Sequence, residues 1–332
     1  MGLPLLAFAL WGQVQHGALA SLGALAVLYA PGLLYRRRAL RVAGVGAGLV
    51  LATAAGTVVA GSTPGTVVVI ALVTAVAVVL SRWRSVAPPG GLMPVLVCAT
   101  ATQIPLESAP LALRLGLVTL GAAIAWLVVM AAAPLRGRVA GLAPETAPAP
   151  PRLPPPSWRQ IARAAARGAV GTGAAALVAL ALGLPRPDWA AVACAAVLVH
   201  DATRTTVRRA GHRAVGTAAG IGVAGLVLAT VPGVLPLVGL VIVLQFVVEV
   251  VVARHYALAV VFITPLALLQ GALATGQLDG PVAGLLAGRL AETAIGCVLA
   301  VVAQALCPPP GERPARTVAR RLTRGATVPV LT

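Results

Sequence analysis

The chain contains no lysine and only eight acidic residues, and aromatic side chains make up just 3% of it. Each scarcity removes a class of function. A nucleic-acid binder would set stacking aromatics or a groove-reading motif beside its basic residues, and this sequence has neither, although its net charge is +17 and its pI about 11.8. No nucleic-acid partner is expected. The four cysteines, Cys98, Cys194, Cys297 and Cys307, lie far apart with no CxxC spacing and no histidine at metal spacing, so they read as core fillers and no metal site is expected. No GxSxG, P-loop, HExxH or DxxxD element occurs, which leaves hydrolase, nucleotidase, zinc-protease and prenyltransferase readings without support. Neither an enzyme nor a cofactor is expected. "GIGVAG", Gly220 to Gly225, has the spacing of a dinucleotide fingerprint, but it sits inside an apolar run and follows no strand.

What the sequence has in excess is apolar surface. It is 59% hydrophobic and 10% charged over 332 residues, with a mean hydropathy of +0.96. A single soluble core cannot hide that much Ala, Val and Leu, whereas helices of about 20 residues cross a bilayer with their backbone fully hydrogen-bonded. The runs are long and continuous, without the in-out alternation of barrel strands. The expected class is therefore an all-α, polytopic membrane protein. Candidate spans fall near 17–35, 42–61, 65–81, 91–104 and 109–133, then near 160–184, 188–203, 213–231, 234–253, 255–275 and 282–306. "PLRGRVAGLAPETAPAPPRLPPPSW", residues 134–158, is too rich in proline for a helix and reads as an extended cytoplasmic linker. Residues 307–332 form a basic tail. No basic n-region or cleavage site of a signal peptide opens the chain, so the spans themselves are expected to drive insertion.

Arginine is enriched in cytoplasmic loops close to the ends of spans. Every second loop here is basic: Arg36, Arg37, Arg38 and Arg41; Arg82 and Arg84; Arg136, Arg138, Arg152 and Arg159; Arg204, Arg208, Arg209 and Arg213; Arg254; and the tail from Arg313 to Arg324. The alternate loops carry a single arginine, Arg186. Both termini are thus expected in the cytoplasm, and the basic stretches read as orientation signals and headgroup contacts. An offset of 172 lays Arg36, Arg37, Arg41, Gly44 and Gly48 onto Arg208, Arg209, Arg213, Gly216 and Gly220; an offset of 175 lays Arg114 and Gly121 onto Arg289 and Gly296. An even number of spans per repeat keeps both copies in one direction, so about 11–12 transmembrane helices are expected in two parallel six-helix repeats, 1–133 and 159–306. The first helix is short: "MGLPLLAFALW" is about half a span, so either it does not cross or the start is assigned too late. The GxxxG pairs Gly44/Gly48, Gly216/Gly220 and Gly284/Gly288 are expected to let helix backbones approach closely.

Ionisable side chains inside spans cost about 2.5–3.5 kcal/mol each at mid-bilayer and so face a partner or a water-filled path. Arg289 and Glu292, three residues apart, are either a structural ion pair or part of such a path. Arg114 occupies the equivalent place in the first half but meets Leu117 where Glu292 would stand, so a local pair does not account for it. Two arginines related by an approximate twofold axis would converge between the repeats, and guanidinium suits a carboxylate. Glu249 is a candidate proton carrier or a snorkelling residue near a helix end. Asp201, His200 and His212 read as local partners of the basic stretch, and His255 and Tyr256 as interfacial anchors.

Three ordered segments carry a family resemblance: "DWAAVACAAVLVHDATRTTVRRAGHRAVGTAAG", "RHYALAVVFITPLALL" and "RLAETAIGCVLAVVAQAL". Together they resemble the fusaric acid resistance protein-like family of the aromatic acid exporter superfamily, through Arg213, Gly216, Thr217 and Gly220, then Tyr256, Thr264 and Pro265, then Arg289, Thr293 and Gly296. The resemblance implies a twelve-helix, two-repeat bacterial inner-membrane exporter of organic, often aromatic, acids; the span residues read above, Arg114, Arg289, Glu292 and Glu249, are then the candidate substrate-path residues, the arginines attracting the anion and the glutamates carrying a proton. Its expected partners are the lipid bilayer, a small organic anion and a second copy of the chain as a homo-oligomer. An uncoupled anion channel and a non-transporting scaffold for anionic lipid are the alternatives. Many relatives carry large cytoplasmic domains after each six-helix unit; here only the linker and tail occupy those places.

Overall fold

The computed structural model describes residues 2–30, 35–105, 109–132, 156–231, 233–252, 254–276 and 282–309. Most of the proline-rich stretch and the tail from 310 onward lie outside the described residues, as does most of the expected domain boundary between the halves. Twelve α-helices occur among them: α1 (Gly2–Leu10), α2 (Val14–Ala24), α3 (Tyr35–Val58), α4 (Thr63–Trp83), α5 (Leu92–Thr102), α6 (Leu111–Ala131), α7 (Trp158–Ala181), α8 (Pro187–Val197), α9 (Thr203–Thr230), α10 (Val234–Val251), α11 (Tyr256–Thr275) and α12 (Val282–Leu306). Local chemistry sets several of the ends. Ser157 caps α7 in a reciprocal box with Gln160, Ser62 accepts from the Gly65 amide at the start of α4, and Pro187 occupies the first turn of α8. Gly183 takes a left-handed φ of 67° in the turn that reverses α7 into α8.

The molecule is a polytopic membrane protein. Eight of these helices are long and apolar enough to cross a bilayer, and only 28–56% of each spanning window is buried inside the bundle. Leucines and valines on their outer faces, such as Leu51, Val68, Leu72, Val76 and Val243, are exposed, which suits lipid rather than water. The remaining elements are shorter than the sequence suggested. α2 tightens into a 3-10 turn over Leu25–Tyr29, α5 stops at Thr102 ahead of Pro105, and α8 stops at Val197 ahead of the polar His200–Asp201 step. The region near 188–203 is therefore a helix of 11 residues, not a full span. α1 has nine residues and packs on α2 and α10.

The basic stretches also differ from expectation. Arg36–Arg41 and Arg204–Arg213 are not loops, since α3 begins at Tyr35 and α9 at Thr203. Arginine is a strong helix former and no proline intervenes, so the helix runs straight through the charged segment, past Gly211 in α9.

Helix pairings recur at intervals of six. α2 lies on α6 as α8 lies on α12; α3 lies on α5 and α6 as α9 lies on α11 and α12; α1 packs on α2 as α7 packs on α8. Between the halves, α4 packs on α7 and α10 on α1, while α5 meets α8 and α11 meets α2. Two glycines make the closest of these seams. A Cβ on Gly121 would run into the Ala20 carbonyl and one on Gly296 into the Ala190 carbonyl, so α6 and α12 press on the short helices α2 and α8 in the same way. Of the GxxxG pairs, Gly216 and Gly220 sit against Ala257, Val261 and Thr264 of α11 as expected. Gly44, Gly48 and Gly284 face open space. α5 starts only at Leu92, so nothing stands opposite Gly44 and Gly48 where α11 covers their counterparts.

Candidate functional site

Arg209 and Arg213 are four residues apart on the inward face of α9, along with the buried Thr206, Ala210 and Thr217. Across from them, α12 carries Arg289 and Glu292, both buried. The Arg289 guanidinium lies flat over Trp189 of α8, its Cζ 3.3 Å from the ring centroid, and Arg209 lies over Tyr256 of α11 at 3.7 Å. Stacking disposes of one face of each group and leaves its N–H edge unaccounted for. Arg209 donates from Nη2 to the Ala196 carbonyl at 3.2 Å. The Nε atoms of Arg209 and Arg213 and Nη1 of Arg289 are sealed from solvent with no hydrogen-bond partner. Such donors are costly to bury in a protein, and more so inside a membrane.

The carboxylates nearby are already engaged. Glu292 accepts the backbone N–H of Arg186 at 2.8 Å, at the amino end of α8, where the helix dipole favours negative charge. Asp188, in the first turn of α8, pairs with the Arg186 guanidinium at 3.3 Å. The charges of Arg213 and Arg186 repel Arg289 while those of Glu292 and Asp188 attract it. Three guanidinium groups thus face two carboxylates. Arg289 and Glu292 do not form an ion pair within 4 Å, because Glu292 turns instead to the start of α8; of the two alternatives left open by their spacing, the structural ion pair is absent among the described residues.

Arg114 sits in different surroundings. It is fully buried, and donates from Nε to the Ala109 carbonyl at 2.7 Å, from Nη1 to Ile104 at 2.9 Å and from Nη2 to Pro105. The chain leaving α5 presents carbonyls with no helical donor, and Arg114 collects them. α6 packs on α2 and α3, whereas α12 packs on α7, α8 and α9. Glu249 projects outward from α10, exposed, and accepts from Gln245 at 2.7 Å.

A second group gathers at the end of the bundle that carries the basic stretches. Asp201 bonds Arg82 through both oxygens, at 2.5 and 2.7 Å, and Arg167 at 2.7 Å. Its partners are 119 and 34 residues away, so it is not a local partner of Arg204–Arg213. α9 starts two residues later and carries those arginines off along its axis. Burial pushes the Asp201 carboxyl up, but hydrogen bonds and charge from Arg82 and Arg167 outweigh it and hold it below its ordinary value. His200 is also held low, by burial and then by the Arg209 charge, against the pull of Asp201. Beside them opens a cavity of about 320 Å³ between α4, α5, α7 and α8, lined by Arg82, His200 and Asp201 on its polar side. Sequence reasoning missed Arg167, an arginine within the apolar run 160–184, and Trp189; the first was visible as a charge in a span.

Comparison with known proteins bears on the second half of the chain. Residues 174–303 match the family described as fusaric acid resistance protein-like. A stretch of 130 residues is 34% identical to an uncharacterized membrane protein, YvaC, of Bacillus subtilis (strain 168). That alignment covers 39% of this chain and 20% of the relative, so the chain spans a minor part of the relative's length. No solved structure matches.

Proposed function

We propose, from the premise that residues 174–303 are a fusaric acid resistance protein-like region within a multi-pass membrane protein, that the chain exports organic carboxylate anions across a bacterial inner membrane. In this reading both termini face the cytoplasm, as the arginine-rich helix starts require. The observation that carries it is the pair Arg213 and Arg289, buried between α9 and α12 with N–H groups that no protein atom accepts. A passing carboxylate supplies the missing acceptor and the missing negative charge, while Trp189 backs the Arg289 guanidinium from its other face. Glu292, buried beside Arg289, is the better placed proton carrier; Glu249 lies outside this column. Arg114 acts as a clamp on the chain after α5.

The test is efflux of a panel of aromatic carboxylates from cells expressing wild type, Arg289→Gln and Arg213→Gln at matched membrane levels. Loss of one buried charge contact is worth about 2 kcal/mol or more, so each variant should export about thirtyfold more slowly or worse. Wild-type rates in both variants would falsify the arginine role.

A further inference from the structure

The Asp201 group is not accounted for by that column. Gln304, which donates to the Asp201 backbone carbonyl, stands 15 residues beyond Arg289 on α12, about 22 Å along the helix. Three helices meet on Asp201: α4 through Arg82, α7 through Arg167 and α12 through Gln304. Two guanidinium groups share one carboxylate, so one positive charge is left over. Arg167 is sealed, its side chain 3% exposed, with Nη1 on the Cys307 carbonyl at 3.2 Å. Arg82 and Asp201 are open, at 21% and 46%, and line the cavity of about 320 Å³. Its other walls are mostly apolar, with Pro88, Pro89, Leu92, Leu198 and Val199 beside the hydroxyls of Thr74, Ser81 and Ser85.

We propose that this cavity is a second anion site, that it takes a small carboxylate with an apolar body, and that Asp201 fills its cationic end as a displaceable internal carboxylate. The bidentate grip of Arg82 on Asp201 is the grip a free carboxylate receives from guanidinium. The volume suits one small organic acid. Pro88, Leu92 and Val199 would bury its body while the excess charge holds its head. Because Asp201 occupies the cationic end in the resting protein, a free acid binds only to the extent that Asp201 swings out, and removing Asp201 exposes the site.

The test does not rest on transport. The purified full chain in detergent is melted with and without millimolar benzoate as wild type, Asp201→Gly, Arg82→Gln/Asp201→Gly and Arg289→Gln. Asp201→Gly should melt lower than wild type and recover most of the loss in benzoate, less in acetate and little in inorganic phosphate. The double variant should show no shift beyond that of wild type, and Arg289→Gln should lose only the part of the wild-type shift that the α9–α12 column contributes. If Asp201→Gly yields no folded protein, equilibrium dialysis of labelled benzoate against Asp201→Asn serves instead, with binding at least about tenfold tighter than wild type. Equal benzoate shifts in all variants, absence of rescue, or unchanged affinity in Asp201→Asn overturns the site. Normal efflux by Arg289→Gln, by contrast, overturns the transport reading and leaves this one standing.

Discussion

The two halves carry four arginines at matching positions; Arg36 and Arg208 are both exposed, but Arg37, Arg41 and Arg114 are treated differently from Arg209, Arg213 and Arg289. Arg37 is exposed, Arg41 reaches the Arg84 carbonyl at 3.4 Å, and Arg114 is held by three carbonyls after α5. In the second half Arg209 and Arg289 turn onto the rings of Tyr256 and Trp189, and all three arginines keep an unpaired N–H. The cause lies in the neighbouring helices. α11 is 20 residues long and brings Tyr256 under Arg209; α5 has 11 residues, and the chain that leaves it offers carbonyls to Arg114. The Asp201 group is one-sided in the same way: at the offset of 172, Asp201 falls on Tyr29 and Arg82 on Arg254, so the first half has no carboxylate to hold. The positions of charge match across the halves, and the partner helices decide whether each charge is bound by backbone or left available.

This contrast is open to attack. The largest effect is expected at Arg114→Ala, which strips donors from three carbonyls in a buried setting and should cost about 3–5 kcal/mol, seen as loss of monodisperse protein on size-exclusion chromatography. Arg289→Gln should keep its elution profile, since part of that guanidinium already lacks partners. Equal collapse of both variants would erase the distinction between clamp and column.

A smaller effect separates the matching glycines. In Gly216→Ala the new methyl meets the Ala257 carbonyl and Val260 at 2.8 Å, and such overpacking costs about 1–3 kcal/mol. Gly44→Ala meets nothing and should gain up to about 1 kcal/mol of helix propensity. Thermal melts that move together would show that α3 is covered as α9 is.

The smallest effect is with pH. The Asp201 carboxyl is held low, so its contribution to folding is complete above the unfolded carboxyl value and is lost only as pH falls through the depressed one. His200 is also held low, so the unfolded chain takes up its proton first as pH drops below about 6.5, and stability should dip slightly there. His200→Gln should flatten that dip without changing the acid limb set by Asp201. A dip unchanged in the variant would assign it to another group.

Membrane class, helix order and the motif-bearing second half were legible because hydropathy runs and arginine placement report directly on burial in lipid. Gly121 and Gly296 were legible as a matched pair, and they do the same packing work. What was not legible depended on contacts distant in sequence. Spacing brought Arg289 and Glu292 together, but the free amide of Arg186 at the start of α8 took the carboxylate. Proximity tied Asp201 to Arg204–Arg213, while the fold delivered Arg82 from 119 residues away. Helix length was misjudged wherever an apolar run continued past a breaker, as at α5 and α8.

The 28 residues of α9 measure about 42 Å, against a hydrocarbon slab of about 30 Å. The helix exceeds the slab by some two turns, and its exposed basic start, Arg204 and Arg208, suits that overhang at headgroup level. Arg213, about 15 Å from the helix start, falls just below the rim. The depth of the inward arginines is thus fixed by a rod anchored at its charged collar, and bilayer thickness becomes a control on them: thicker lipid would draw Arg209 from the interface into oil, and thinner lipid would lift Arg213 toward water.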